Sequence, residues 1–279
     1  MRWFSVSLCF LLAANAFAED RGFLVGGGFE VDEEGGLRGG LVAGLELGES
    51  TWLSGAASTG SSELGNGDTT DLLYTDIDLD HYFDPIGVRI GAAYWGDPDL
   101  LDSVDWRVSA YVRNERIFFG VNYEHRDFDF TIPPADFFAG REFEFTGEGL
   151  GATLRLPLGE KASISFDGMK YDYSVNFEPN DAVVAARLLT ATRLSLINEL
   201  IDGRLGVGLG IDVGEHRWEL DYATWESALG SIQTDSFTLR FIMPATDRLD
   251  LEFSLGFDET EFGDSVYYAS VYGYFFGVL

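Results

Sequence analysis

Apolar and polar residues alternate along most of the chain. Val104, Trp106, Val108, Ala110 and Val112 are apolar, while Asp105, Arg107, Ser109, Tyr111 and Arg113 between them are mostly polar. Leu249, Leu251, Phe253, Leu255 and Phe257 repeat the pattern against Arg248, Asp250, Glu252, Ser254 and Gly256. Leu205, Val207, Leu209, Ile211 and Val213 do so against Gly206, Gly208, Gly210 and Asp212. A period of two sends successive side chains to opposite faces of an extended chain, so each segment predicts a β-strand with one apolar and one polar face. A half-buried soluble sheet and a membrane barrel both give this signature, and the breaks between segments are what separate them.

Short breaks fall at Gly48-Glu49-Ser50, Asp84-Pro85-Ile86, Asn114-Glu115, Leu158-Gly159-Glu160, Glu199 to Gly203, and Pro244 to Asp247. Longer polar segments lie between them, at Asp32 to Gly36, Gly60 to Thr69, Asp97 to Ser103, Asp129 to Gly140, Asn176 to Asp181, Thr224 to Ser231, and Asp258 to Asp264. Strict alternation of short and long connections predicts an all-β fold: a closed antiparallel transmembrane β-barrel with short periplasmic turns and longer extracellular loops. Counted from Gly22, the segments make about fourteen strands, with both termini on the short-turn side. The seven prolines, Pro85, Pro98, Pro133, Pro134, Pro157, Pro179 and Pro244, all fall in or beside breaks. That is required of a barrel, because a proline in mid-strand removes a ladder hydrogen bond that lipid cannot replace.

Three segments change phase midway. Phe143 and Phe145 give way to Leu150, Ala152, Leu154 and Leu156 across Gly147 and Gly149; Phe166 gives way to Tyr171 and Tyr173 across Gly168; Val213 gives way to Trp218, Leu220 and Tyr222 across Gly214. Glycine at a phase change reads as a β-bulge. The stretch AVVAARLLTATRLSLINELI, residues 182–201, has a composition that also suits a helix. Thr190 to Ile197 reads as a strand, with room for a short helix near Asn180 to Leu188 in the loop before it; this is the region where fourteen strands could become twelve, the second count.

Composition narrows the class. Residues 1–18, MRWFSVSLCFLLAANAFA, carry one positive charge, an apolar run and the small-x-small ending Ala16-Phe17-Ala18, the pattern of a signal peptide cleaved near Ala18. The apolar run is too short to span a bilayer. Residues 19–279 then form a single domain, and because the one cysteine is Cys9, that domain has no thiol for a disulfide, a metal or a nucleophile. Arg2 apart, 17 of the 18 Lys and Arg remain against 47 Asp and Glu, which argues against nucleic acid and against a polybasic membrane-surface mode. An aromatic content of 15% separates the chain from acidic disordered sequences.

The carboxyl-terminal stretch SVYYASVYGYFFGVL resembles the last strand of bacterial outer-membrane β-barrel proteins. Their assembly signal places a glycine ahead of two aromatic or apolar residues two apart, and Gly273, Phe276 and Val278 fit that spacing, with Leu279 beyond. The resemblance is porin-like, covers residues 19–279 as architecture, and points to no subfamily. It implies the outer membrane of a Gram-negative bacterium, contact with lipid and lipopolysaccharide, insertion by the barrel assembly machinery, and small polar solutes or ions as cargo. Acid-rich loops such as Val31-Asp32-Glu33-Glu34 are expected outside, near the divalent cations that bridge lipopolysaccharide.

In such a barrel the polar parity lines the lumen. That assigns to the pore Asp76, Asp78, Asp80, Arg89, Asp105, Arg107, Arg113, Glu124, Glu142, Glu144, Glu148, Arg155, Glu219, Asp221, Arg240, Arg248 and Glu252. The three alternating aspartates of YTDIDLDHYF become a stripe down one wall, with Arg89 past the next turn as counter-charge. Charged rings can select ions, and the acidic surplus predicts a channel for small polar solutes with modest cation preference. Alternatively the same residues pair across strands and fill the interior, giving a non-conducting structural, adhesive or receptor barrel.

No metal site or cofactor is expected. An EF-hand loop begun at Asp76 would need glycine sixth and glutamate twelfth, where His81 and Gly87 stand. A rim hydrolase is the remaining alternative, with His125 or His216 as base; His81 is on the lipid-facing parity and reads as structural. No serine is placed by a recognisable motif, so the expectation is a protein that is not an enzyme.

Overall fold

The computed structural model describes residues 21–63, 69–97, 101–131, 142–174, 200–228, 231–263 and 265–278. The signal-peptide reading and the proposed strand Thr190 to Ile197 lie outside them. Within them the chain forms fourteen antiparallel strands closed into one barrel. They are β1 (Gly22–Asp32), β2 (Leu37–Gly48), β3 (Thr51–Glu63), β4 (Thr69–Tyr82), β5 (Ile86–Asp97), β6 (Leu101–Asn114) and β7 (Ile117–Thr131), then β8 (Glu142–Pro157), β9 (Ala162–Tyr173), β10 (Ile201–Val213), β11 (His216–Ser227), β12 (Gln233–Thr246), β13 (Leu249–Thr260) and β14 (Ser265–Val278). Each strand pairs with its sequence neighbours, and β1 closes on β14 in register from Gly22↔Val278 to Asp32↔Tyr268. Closure removes the edge strands, so no row of unpaired backbone groups meets lipid.

Fourteen is the expected count, reached by a different partition. Gly214 is not a bulge: Gly214-Glu215 is the two-residue turn between β10 and β11, closed by the pair Val213↔His216. Gly214 has φ 68° and Glu215 is not left-handed, the arrangement of a type II′ hairpin turn. The expected short turn at Glu199 to Gly203 is instead the entry to β10 on the long-loop end, and the turn at Gly214 divides the segment that follows into two strands, which brings the count to fourteen. The twelve-strand alternative is thereby excluded.

Bulges at Gly147, Gly149 and Gly168 are also absent, because β8 holds one continuous register against β7 and against β9. Register shifts occur near strand ends instead, at Glu46/Gly48, Ile201/Gly203 and Pro244/Thr246. What changes along β8 and β9 is not the backbone phase but which face is apolar. Phe145, Tyr171 and Tyr173 point inward, and the glycines make room for them. A Cβ on Gly149 would lie 2.6 Å from the Tyr171 ring, and one on Gly147 would lie 2.9 Å from the Tyr173 ring.

Outside, the alternation gives an apolar surface: Leu41, Ile90, Trp106, Leu150, Leu205, Leu220 and Leu255 are all exposed, Leu205 to 65%. A soluble fold would bury such residues; a barrel turns them to hydrocarbon. The densely packed cluster lies instead inside the barrel at the long-loop end, where Trp95, Leu101, Phe128, Phe145 and Leu200 are buried, with Leu72, Tyr74, Phe130 and Tyr173 against them.

Candidate pore

The inward face divides into a crowded wall and an open one. On β4 to β7 the charged residues of the polar parity meet one another. The Arg107 guanidinium lies 3.1 Å from Asp78 and 3.5 Å from Asp76, and Arg89 lies 2.8 Å from Asp80. Asp76 also accepts the Ala56 backbone N–H at 2.7 Å and the Tyr74 hydroxyl at 2.6 Å, and Asp80 accepts the Tyr111 hydroxyl at 2.5 Å. The aspartate stripe is therefore largely compensated across strands, with Arg107 joining Arg89 as counter-charge and shared by two of the three aspartates.

Nearer the long loops, Arg126 Nε sits 3.3 Å from Asp105 and 3.2 Å from Glu124. The Arg126 side chain is 5% exposed and that of Asp105 is 7%. Asp105 also accepts the Trp95 indole N–H at 3.1 Å and the Ser103 hydroxyl at 2.5 Å. The Arg126 guanidinium lies 5.1 to 5.3 Å from the ring centroids of Trp95, Phe128 and Tyr171, within cation–π range. Phe128 stacks on Phe145 with centroids 4.6 Å apart. This knot of one arginine, two carboxylates and several rings closes the long-loop half of the lumen on the β5–β9 side.

The sequence reading did not find Arg126 or the rings around it. A signal was present: Glu124, Arg126 and Phe128 share one parity of β7, so placing Glu124 inside places the other two there as well.

On the opposite side the inward positions are small: Gly206, Gly208 and Gly210 on β10, Ser165 on β9, Ser236 on β12, Ser254 on β13 and Ser270 on β14, all lining one cavity of about 950 Å³. An ion-pair chain runs along this wall. Arg217 meets Asp212 at 3.0 Å and Glu219 at 2.6 Å, and Arg240 meets Glu219 at 3.3 Å and Asp221 at 2.7 Å. Glu252 accepts the Tyr274 hydroxyl at 3.3 Å and that of Ser254 at 3.4 Å. The Tyr272 and Tyr274 rings lie flat against β1, where a Cβ on Gly28 or Gly26 would collide with them, and so they leave the lumen clear.

A second cavity, about 770 Å³, opens at the short-turn end between Glu46, Trp52, Asp80, Arg89, Arg113 and Phe118 among others. Arg113 lies there with its guanidinium 4.5 Å from the Tyr82 ring centroid, and Arg155 lines both cavities.

Three of the expected pore residues fall elsewhere. Glu144 and Glu148 are exposed on the outward parity of β8, since that strand keeps its phase and turns Phe145 inward. They stand beyond the apolar belt near the long loops, where water and polar headgroups can solvate them. Glu142 opens the same strand, with its side chain outside the described set. Arg248 is exposed in the turn between β12 and β13 and not on the wall. Of the assembly-signal residues, Gly273 pairs with Gly27 and Leu251, Phe276 with Leu24, and Val278 with Gly22.

The histidines all leave the lumen. His81 shares a 2.7 Å hydrogen bond with the Thr51 hydroxyl and packs edge-on to Phe83. His125 meets Asp127 at 3.3 Å on the outward face, and His216 lies beside the Phe241 ring at the turn. Among the described residues there is no group of three or more His, Cys, Asp or Glu placed to hold a metal ion.

A closed fourteen-stranded antiparallel barrel with an apolar exterior and a charged interior is the fold of outer-membrane β-barrel proteins. No protein-family model matches the chain, and no curated protein matches its sequence. Solved structures do share the fold. A loop L8 deletion mutant of OmpT, an outer membrane protein of Vibrio cholerae, aligns with a TM-score of 0.52 at 11% identity, covering 92% of this chain and 98% of that one. OmpT of Vibrio cholerae expressed in the outer membrane aligns with a TM-score of 0.52 at 10% identity, over 93% of this chain and 97% of that one. The in-vitro folded trimer form of OmpT gives 0.50 at 10% identity, over 92% and 98%. The likeness is one of fold.

Proposed function

We propose that the protein is a passive outer-membrane channel for small polar solutes with modest cation preference, the long loops facing outward and the short turns facing the periplasm. The observation that carries this reading is the pair of lumen cavities. One reaches the long-loop end at Trp95, Ile201 and Trp225, the other reaches the short turns at Glu49 and Glu115, and they adjoin at Thr153, Arg155 and Ser163. Fourteen strands lie between barrels filled by side chains and barrels with wide channels, so the small residues of β10 to β14 matter for keeping a path open. The first cavity is lined by six carboxylates and five arginines and the second by four and three, a surplus of one in each that supports a preference that is modest and not strong. The reading assigns the chain no catalytic step; its surroundings are outer-membrane lipid and lipopolysaccharide.

Planar-bilayer recording of the refolded barrel tests it. Wild type should give single-channel steps with a reversal potential on the cation side in a salt gradient. Changing Asp76, Asp78 and Asp80 together to asparagine leaves Arg89 and Arg107 uncompensated and should move that potential toward chloride. A folded, heat-modifiable barrel that gives no steps would reject the channel and favour a non-conducting structural, adhesive or receptor barrel, the reading supported by the Arg126 knot and the cross-strand ion pairs.

A further inference from the structure

Among the described residues the two cavities share only Thr153 and Arg155 of β8 and Ser163 of β9. These are neighbours on one patch of wall: Arg155 pairs across to Ser165, and Ser163 pairs with Pro157. The path through the barrel therefore passes a neck beside β8 and β9, two residues from the short-turn end of β8. Arg155 is the charged member of the three.

Like Arg113, which flanks the same Phe118 from β6 and sits over the Tyr82 ring, Arg155 faces a ring and not a described carboxylate; of the two, Arg155 is the one at the neck. Arg89, Arg107, Arg217 and Arg240 each have a carboxylate within 3.5 Å, whereas no described carboxylate lies within ion-pair reach of Arg155. Its guanidinium is instead 5.5 Å from the ring centroid of Phe118, its partner on β7. A ring steadies the side chain without cancelling its charge. Setting Arg155 apart, the wall of the first cavity carries six carboxylates against four arginines and that of the second four against two. A bare cation at the neck thus separates two chambers of the opposite sign.

We propose that Arg155 is the specificity-determining residue of the channel, docking the carboxylate of a small zwitterionic solute of the amino-acid type while the flanking chambers accommodate its ammonium group. The guanidinium presents parallel N–H donors that match a carboxylate's two oxygens. An inorganic cation meets the same charge as a barrier, and a small anion meets the acidic chambers first; a molecule carrying both signs is matched in each compartment. This rests on the channel reading above.

Swelling of liposomes containing wild type, Arg155→Ala, Arg155→Glu or the turn variant Arg116→Ala tests the proposal, with L-threonine and the similarly sized neutral polyol erythritol as probes. Reversal potentials in a potassium chloride gradient are measured on the same preparations, and heat-modifiability checks that each barrel is folded. Wild type and Arg116→Ala should admit threonine faster than erythritol. Arg155→Ala should lose that preference and shift the reversal potential further toward potassium, and Arg155→Glu should shift it further still. A conducting wild type with no threonine preference, or one whose preference and reversal potential survive both Arg155 substitutions, overturns the proposal and leaves the channel standing. A folded wild type that admits neither probe and gives no steps removes the channel reading and this proposal with it.

Discussion

The two sides of the barrel wall are built from the same strand repeat and do opposite things with it. On β4 to β8 the inward parity carries Tyr74, Trp95, Arg107, Arg126, Phe128 and Phe145, and these pack on one another until Phe128 is 2% exposed. On β10 to β14 the inward parity carries glycine, serine and threonine between its charges, and a cavity lies against it. The lumen of this barrel is therefore eccentric. Ion pairs occur on both walls but in different surroundings. The Arg126 pairs are shielded by rings, whereas the Arg240 side chain is 36% exposed. Cross-strand charge pairing alone therefore says little about conduction; the size of the neighbouring inward residues decides whether a pair plugs the lumen or decorates it.

The strongest way to break this comparison is Arg126→Ala. Removing one partner of a shielded pair leaves Asp105 and Glu124 uncompensated, and a loss of about 3–5 kcal/mol of unfolding free energy is expected. The urea midpoint of the refolded barrel, read by tryptophan fluorescence, measures it. Arg240→Ala, on the open wall, should cost about 1 kcal/mol or less in the same experiment, because water screens the charges it leaves. Equal losses for the two variants would mean that the walls are not different environments. The smallest effect on stability is expected for Ala223→Trp, whose ring can enter the open cavity without displacing a packed neighbour: the midpoint should stay within about 0.5 kcal/mol of wild type while the unit conductance falls. If conductance is unchanged, the path does not run along β11.

Much of the fold was legible in the chain. Gly48 to Ser50, Asp84 to Ile86 and Asn114-Glu115 mark turns because glycine, proline and asparagine break a ladder locally, and each of these turns is where the sequence placed it. Gly214 misled because a glycine at a phase change looks the same whether the chain bulges or reverses. The distinction rests on whether Trp218 pairs with Ile211 across a turn, as it does, or continues the same strand. Of the pore residues, Asp105, Arg107 and Glu124 could be placed by parity, but Glu144 and Glu148 could not be placed by polarity. Near the loops the outward face is polar too, and the rule that polar means inside fails beyond the lipid belt.

The sequence by itself determined the strand repeat, the side of most turns and the even closure, because these follow from a period of two, from local turn chemistry and from the need to leave no backbone group unpaired in lipid. Only the tertiary structure decided which wall is open. That depends on what stands opposite each inward ring once fourteen strands are held in register: Tyr171 lies over Gly149, Tyr272 over Gly28, and Arg155 over Phe118 with no described carboxylate in reach. Those partners are far apart or on separate strands in the chain, and packing between them is a property of the closed barrel and not of any one segment.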